Sequence, residues 1–132
     1  MKAGLAIYNI LSNDSAITDE VSTRIFPNVA PKTTALPFIV YDVDGDIPTD
    51  TKDGAATVDL NDIMVSCYCS GYKEACELAE KIRTSLDRRS GTYGGIEVQT
   101  IVYTGYNDIF DDNHELGIYR KALDFNVRQI NS

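Results

Sequence analysis

The apolar residues near the start of the chain repeat at the spacing of an amphipathic helix over residues 2–12. The members of this stripe are Leu5, Tyr8 and Leu11 or Ser12. Asn13 or Asp14 then suits the N-cap of a second, turn-like piece that carries Ile17 and Val21. The pattern therefore predicts one N-terminal helix followed by a short turn.

A break and two strands follow this helix. Residues 24–37 contain three prolines, and proline lacks the amide that a central strand needs, which predicts an extended connection. Residues 37–46 are rich in β-branched and aromatic residues and predict a strand. Residues 57–69 alternate as a second strand, but their apolar phase shifts, which predicts a β-bulge or bend near Asn61 and Asp62.

The second half of the chain changes to helical spacing and then returns to alternation. Residues 70–91 predict a helix with Ser70 as N-cap and Gly91 as its stop. The apolar stripe of this helix is Tyr72, Ala75, Ala79, Ile82 and Leu86. Residues 96–105 and 118–130 predict two more strands. In the last strand the packed face is Tyr119, Leu123, Phe125 and Val127, and the wet face is Arg120, Asp124, Asn126 and Arg128.

The predicted elements follow the order α-β-β-α-β-β within a single domain over residues 1–132. A strand with one packed and one wet face is typical of an antiparallel sheet that is covered on one side. The sequence therefore predicts an α+β fold, with one mostly antiparallel four-stranded sheet and two helices packed on one face.

Composition argues against several classes of function. The 132 residues include 12 Lys and Arg and 20 Asp and Glu, and the net charge of −8 repels the phosphate backbone of nucleic acids. We therefore expect no sequence-specific binding of nucleic acid. The apolar N-terminal stretch is interrupted at Asn9, which argues against a signal peptide. Because no segment approaches the roughly 20 apolar residues that span a bilayer, we expect no membrane partner.

Three cysteines, Cys67, Cys69 and Cys76, lie where a predicted strand meets a predicted helix. A structural zinc site needs about four nitrogen or sulfur ligands, and the one histidine, His114, lies far along the chain. The spacing also lacks the Cys-x-x-Cys of thiol exchange. Because free cysteine is among the most buried residue types, we expect these cysteines to fill space and expect neither metal nor cofactor.

The acidic residues after the first predicted strand approach a calcium-binding loop without completing it. They occupy positions one, three, five, nine and twelve of the EF-hand pattern, as Asp42, Asp44, Asp46, Asp50 and Asp53. Ile47 stands where the EF-hand turn needs glycine, and the preceding segment is a strand instead of a helix. A solvated loop is therefore favoured over a metal site.

A second acidic cluster lies in the predicted loop between the last two strands. It consists of Asp108, Asp111, Asp112, His114 and Glu115. Carboxylates beside a histidine can carry out general acid–base catalysis, but consecutive acids in a turn stay hydrated. Catalysis also needs partly buried groups in a cleft. Since no complete catalytic motif is present either, the sequence predicts that the protein is not an enzyme.

Four short segments carry a resemblance to a known family. In chain order they are "RIFP" at 24–27, "LPFIVY" at 36–41, "CYCSGYKEACELAEKIR" at 67–83 and "YNDIFDDNHELGIYRKALDFNV" at 106–127. Taken in this order, the chain from about Leu5 to Val127 resembles the tail completion, or tail terminator, proteins of long-tailed bacteriophages and prophages.

The resemblance implies a virion structural protein without catalytic activity, made in the bacterial host cytoplasm and carried in the virion tail. It implies a hexameric ring that caps the tail tube and joins it to the head-side neck. The implied partners are other copies of the chain, the tail tube protein and a head-completion or neck protein.

A closed ring needs two different surfaces on each subunit. The polar loop from Gly45 to Ala56 is longer than a hairpin turn needs, and we expect it to contact the tail tube or a neighbouring subunit. The expected contact residues are Asp46, Ile47, Pro48, Thr49 and Asp50. A second expected contact joins Arg88 and Arg89 of one subunit to acids of the next, namely Asp108, Asp111 and Asp112.

Two alternative functions fit the same sequence. One is a neighbouring neck or head-completion protein of the same particles. The other is a small cytosolic ligand-binding or calcium-binding domain, whose apparent stability would rise when calcium is added.

Overall fold

The computed structural model describes residues 2–49, 57–111 and 118–131, and within them it contains three helices and six strands. In chain order the elements are α1 (Ala3–Ser12), α2 (Ser15–Val21), β1 (Ile25–Pro27), β2 (Phe38–Thr49), β3 (Thr57–Cys69), α3 (Tyr72–Leu86), β4 (Gly91–Tyr93), β5 (Ile96–Asp111) and β6 (Ile118–Asn131). The predicted order α-β-β-α-β-β therefore missed one helix and two short strands.

The six strands form one sheet in the order β1-β2-β3-β6-β5-β4. β1 pairs with β2 in parallel, whereas every other neighbouring pair is antiparallel. The predicted four-stranded, mostly antiparallel sheet with two helices is therefore wrong. The sheet is six-stranded, mixed and curled, and it is accompanied by three helices.

The two missed strands are short edge strands. β1 lies in the segment predicted as an extended connection and pairs with residues 39–41, while β4 begins at Gly91, the predicted helix stop, and pairs with residues 96–98. Pro27 is tolerated because it ends an edge strand, where its missing amide breaks no central ladder. Three residues are too few to show a two-residue repeat, so the sequence pattern could not reveal either strand.

The N-terminal helix is present, but it buries a different face from the predicted one. α1 packs Ala3, Ala6, Ile7, Ile10 and Leu11 against the core. Leu5 and Tyr8, which belonged to the predicted stripe, are exposed. The N-cap of α2 is Asp14, whose carboxylate accepts a hydrogen bond from the Ala16 amide at 3.0 Å. Of the two predicted caps, Asn13 and Asp14, the second is therefore correct.

α3 confirms most of its predicted stripe, because Ala75, Ala79, Ile82 and Leu86 are buried. Tyr72 is the exception and is exposed. The predicted ends of this helix are wrong on both sides. Its N-cap is Gly71 instead of Ser70, and it ends at Leu86, followed by Arg88 in a left-handed conformation with φ of 62° instead of by Gly91. Among the described residues, none of the helices is long and apolar enough to cross a bilayer.

The core lies between the helices and one face of the sheet. β6 is central and is paired along its length with both β3 and β5, and its predicted packed face is confirmed by the burial of Leu123, Phe125 and Val127. Ile63 and Val65 of β3 lie on the same side. The longest strands therefore supply the layer on which the helices pack.

The predicted bulge near Asn61 and Asp62 lies on the other strand. β3 pairs with β6 without interruption, whereas the β2–β3 register shifts between Asp44 and Ile47, opposite Asn61. Because β3 keeps its alternation, Asn61 occupies a core-facing position and is fully buried. The apolar phase therefore changes because a polar residue, Asn61, occupies a core-facing position, and not because β3 bends.

Candidate functional site

The described part of the first acidic segment is an extended strand instead of a loop. Asp42 and Asp44 lie in the extended strand β2, paired with Met64 and Asp62. The side chain of Asp46, and all of Asp50 and Asp53, lie outside the described residues. Among the residues that are described, no group of three or more His, Cys, Asp or Glu side chains is arranged to hold a metal ion.

The helix-free face of the sheet carries an acidic concavity of about 530 Å³. Its acidic residues come from three strands and are Asp42, Asp44, Asp62 and Asp124. On the same face, the Phe38 and Tyr68 rings stack with their centroids 4.6 Å apart. The Arg120 guanidinium donates hydrogen bonds from Nε and Nη2 to the buried Ser66 hydroxyl, at 3.2 and 3.1 Å. Arg120, predicted as part of a wet face, therefore covers part of the sheet.

The predicted polar contact loop begins later than expected. Strand β2 continues to Thr49 and β3 starts at Thr57, so residues 45–49 belong to a long hairpin and the connection covers residues 50–56, outside the described part. Ile47 pairs with Leu60 and is 62% exposed, which makes it one of the most exposed large apolar side chains. The predicted contact residues Ile47, Pro48 and Thr49 therefore lie on the outer part of strand β2, residues 42–49, which we call the strand arm.

The prediction that the cysteines fill space is confirmed for two of them. Cys67 and Cys69 are buried in the core, and the Cys67 thiol donates to the Ala75 carbonyl at 3.7 Å. A hydrogen bond with Cys67, together with burial, raises the pKa of the Cys69 thiol above its ordinary value. Cys76 is half-buried and lines a pocket described below.

The second acidic cluster is partly a strand. β5 runs to Asp111, so Asp108 lies in a ladder with Lys121 instead of in a loop, whereas Asp112, His114 and Glu115 lie outside the described residues. The Lys121 ammonium donates to the Asp108 carboxylate at 2.5 Å. Asp108 therefore already has a cationic partner within its own chain.

Arg88 and Arg89 are held against the middle of β5. The Arg88 amide donates to the Ile101 carbonyl at 2.6 Å, and the Ile101 amide donates to the Arg89 carbonyl at 3.0 Å. Asp108 lies seven residues further along β5, about 23 Å away at the rise of a strand. The structure therefore does not bring these arginines and Asp108 together within one chain.

Lys121 is the centre of a cluster that the sequence analysis missed. It is only 6% exposed, and its ammonium lies 5.0 Å from the Tyr72 ring and 4.8 Å from the Tyr106 ring. Both rings are themselves more than half exposed. Alternation along β6 does indicate position 121, because it falls between Tyr119 and Leu123 on the packed face.

A pocket of about 130 Å³ opens beside this cluster, between α3 and the strands β5 and β6; we call it the α3 pocket. The helix contributes Cys76, Ala79, Glu80 and Arg83, and the strands contribute Tyr103, Tyr106, Lys121 and Leu123. The Arg83 guanidinium lies 4.1 Å from the centre of the Tyr103 ring. The pocket therefore combines an apolar floor with a rim of two tyrosines, two cations and the Glu80 carboxylate.

We expect the Lys121–Asp108 pair to make stability depend on alkaline pH. Burial lowers the pKa of Lys121, but the hydrogen bond and charge of Asp108 outweigh it and raise the pKa above its ordinary value. The stabilisation is then complete below the unfolded-state pKa of about 10.4 and is lost as pH rises through the folded-state pKa. Urea denaturation from pH 8 to 12 should therefore show a steeper alkaline loss in the wild type than in Lys121→Met.

Lys73→Met is the matched control, because Lys73 is exposed on α3. Equal alkaline slopes for the wild type and Lys121→Met would show that the pair contributes nothing to the folded state.

The similarity of this chain to known proteins extends over nearly its whole length. A family model described as tail completion protein gp17 matches residues 5–130. A chain in a solved structure described as the virion of a native gene transfer agent (GTA) particle matches with a TM-score of 0.75 at 17% identity, covering 98% of this chain and 97% of that one. No curated protein sequence matches. At this identity the structural match shows a shared fold.

Proposed function

Because the chain belongs to the tail completion protein gp17 family, we propose that it closes the head-proximal end of the tail tube as a ring of six copies. Membership of this family makes the chain a structural component of a virion tail. In the proposed role the ring caps the tube and joins it to the head-side neck. The observation that carries the proposal is the family match over residues 5–130, nearly the whole chain.

The likeness to a chain of a gene transfer agent virion supports the proposal, because the two chains share one fold over almost their full lengths. In the proposed role the chain contacts copies of itself and at least two other proteins. Its surfaces therefore have to offer several separate contact sites. We propose the tail tube protein and a head-completion or neck protein as the other partners.

Two long strands, whose outer edges are largely unpaired among the described residues, also support assembly. β1 covers only residues 39–41 of the 12-residue β2, and β4 covers only residues 96–98 of the 16-residue β5. Unpaired strand edges readily pair with another chain. Several large apolar side chains on or beside these arms are also exposed, namely Val43, Ile47, Tyr72, Tyr106 and Ile109.

We also propose that Arg88 and Arg89 contact a neighbouring subunit. Both are held by backbone hydrogen bonds to Ile101, which gives them a defined position on the surface. The acidic side chains of a chain with net charge −8 are suitable partners. Because Asp108 is already paired with Lys121, the remaining candidates at the β5–β6 hairpin are Asp111 and Asp112.

The proposed ring predicts the mass of the purified protein. Light scattering across a concentration series should detect a species of about 88 kDa, which is six times the 14.6 kDa chain. Electron microscopy of this species should show rings with a central hole. The same rings should form when the chain is added to isolated tail tubes, where the tube orders the subunits.

Particles assembled without the chain provide the control for function. Heads and tails should then accumulate separately, and adding the purified chain should join them. Complete particles in the absence of the chain would contradict the proposed role in joining. A chain that stays monomeric both in solution and on tail tubes would contradict the ring.

A further inference from the structure

Ile47 is an exposed apolar residue on the acidic outer part of strand β2. Its side chain is 62% exposed, and the exposed Asp44 precedes the register shift beside it. The sequence from residue 42 to residue 53 carries five aspartates and no lysine or arginine other than Lys52. Single exposed apolar residues are common, so exposure by itself assigns Ile47 no role. A role requires a matching receptor surface.

The α3 pocket matches Ile47 in size and chemistry. Its volume of about 130 Å³ is close to the roughly 150 Å³ of an engineered apolar cavity that binds benzene, so it is large enough for one branched aliphatic side chain. Ala79 and Leu123 supply apolar surface. Arg83 is exposed at the rim and, within the described residues, forms no ion pair.

Ile47 cannot reach the α3 pocket of its own chain. It pairs with Leu60, which pairs with Arg128, and Arg128 lies five residues along β6 from Leu123 in the pocket. Ile47 and the pocket residue Leu123 are therefore about 17 Å apart along the strands and about 10 Å apart across them. They also lie on opposite faces, because Leu60 is adjacent to the core-facing Asn61. Any contact must therefore join two copies.

We propose that Ile47 of one copy inserts into the α3 pocket of the next copy around the ring. The acidic arm then lies against Arg83, the rim cation that forms no ion pair among the described residues, while Lys121 remains paired with Asp108. Arm and pocket are different surfaces of one chain, which is the heterologous contact that a closed ring needs. This inference rests on the proposed function and names the contact that closes the ring.

A single substitution tests the contact, because native Cys76 lines the pocket. Ile47→Cys would bring a second thiol beside Cys76 of the next copy, within the short separation that a disulfide requires. Mild oxidation with copper–phenanthroline should convert the assembled variant into a ladder of covalent oligomers that ends at the full ring. Cys67 and Cys69 are buried and should not take part.

Two controls define the cross-link. Val29→Cys introduces a thiol at a position that is 75% exposed, more than Ile47, and should give no ladder. Ile47→Cys combined with Cys76→Ser should also give none. Rings of full mass without a ladder would overturn this contact and leave the proposed function standing. The absence of any oligomer in both the wild type and the variant would refute the ring itself.

A non-covalent measurement gives an independent readout. Ile47→Asp should raise the chain concentration at half-assembly by about 10- to 100-fold, the equivalent of losing one buried isoleucine side chain. Thermal unfolding of the free chain should not change, because Ile47 contributes no packing to its own core. Val29→Asp is the matched control and should assemble normally. Unchanged assembly of Ile47→Asp would overturn the proposal, as would cross-linking of Ile47→Cys to a different protein in whole particles.

Discussion

Replacing Phe125 by alanine is expected to lower the free energy of unfolding by about 3–5 kcal/mol. Phe125 is among the largest fully buried side chains, and it lies on the central strand β6 between Ile63 of β3 and Tyr103 of β5. Its ring meets the Tyr103 ring edge-on, with centroids 5.7 Å apart. Truncation loses the transfer free energy of the ring and leaves a cavity that two paired neighbouring strands prevent from closing.

Urea denaturation followed by far-ultraviolet circular dichroism measures this loss, since the chain has no tryptophan. Variants must be compared at one chain concentration, because assembly adds stability by mass action. Asn126→Ala is the matched control, because Asn126 is the next residue and is exposed on the opposite face. It should change the free energy of unfolding by less than about 0.5 kcal/mol. A loss below about 1 kcal/mol for Phe125→Ala would contradict the central position of this ring.

Replacing Asn61 by leucine is expected to raise the free energy of unfolding by about 1–3 kcal/mol. Asn61 is fully buried, and within the described residues neither its Oδ1 nor its Nδ2 has a hydrogen-bond partner. Folding therefore removes both polar atoms from water without compensation. Leucine has similar length, and it would place apolar atoms beside Ile63 and Val127, which belong to the core cluster.

Asn126→Leu is the control for this gain, because it makes the same chemical change at an exposed position on the neighbouring strand. It should leave the free energy of unfolding nearly unchanged. A loss of stability in Asn61→Leu would mean that the amide is satisfied in solution, for example by a buried water. Comparing the assembly of the two variants would also show whether the polar position serves the ring instead of the fold.

The segments that the sequence predicted correctly are those with a long repeat. The stripe from Ala75 to Leu86 and the packed face from Leu123 to Val127 are buried as expected, because each repeats often enough to separate one face from the other. The burial of Cys67 and Cys69 was predicted from the missing zinc ligands, the lack of a Cys-x-x-Cys motif and the base rate of free cysteine. The order of four short motifs also identified the family, which the match over residues 5–130 confirms.

The candidate sites were predictable only in part. The contact role of Ile47 stays a prediction, and its place on strand β2 follows from its pairing with Leu60. The cluster around Lys121 was missed because a lysine is rarely buried unless it is paired. Its partner Asp108 lies thirteen residues away along the chain, in a segment that the sequence pattern assigned to a loop.

The sequence by itself determined the family, through the order of four short motifs. It also determined the buried faces of α3 and β6, because these faces depend on repeats within one segment. Only the tertiary structure decided which three-residue segments join the sheet as β1 and β4, and which face α1 buries. Those outcomes depend on hydrogen bonds and contacts between residues distant in sequence, which a local sequence pattern cannot show. The tertiary structure also decided the α3 pocket and the largely unpaired strand edges, because each forms only when the strands are aligned.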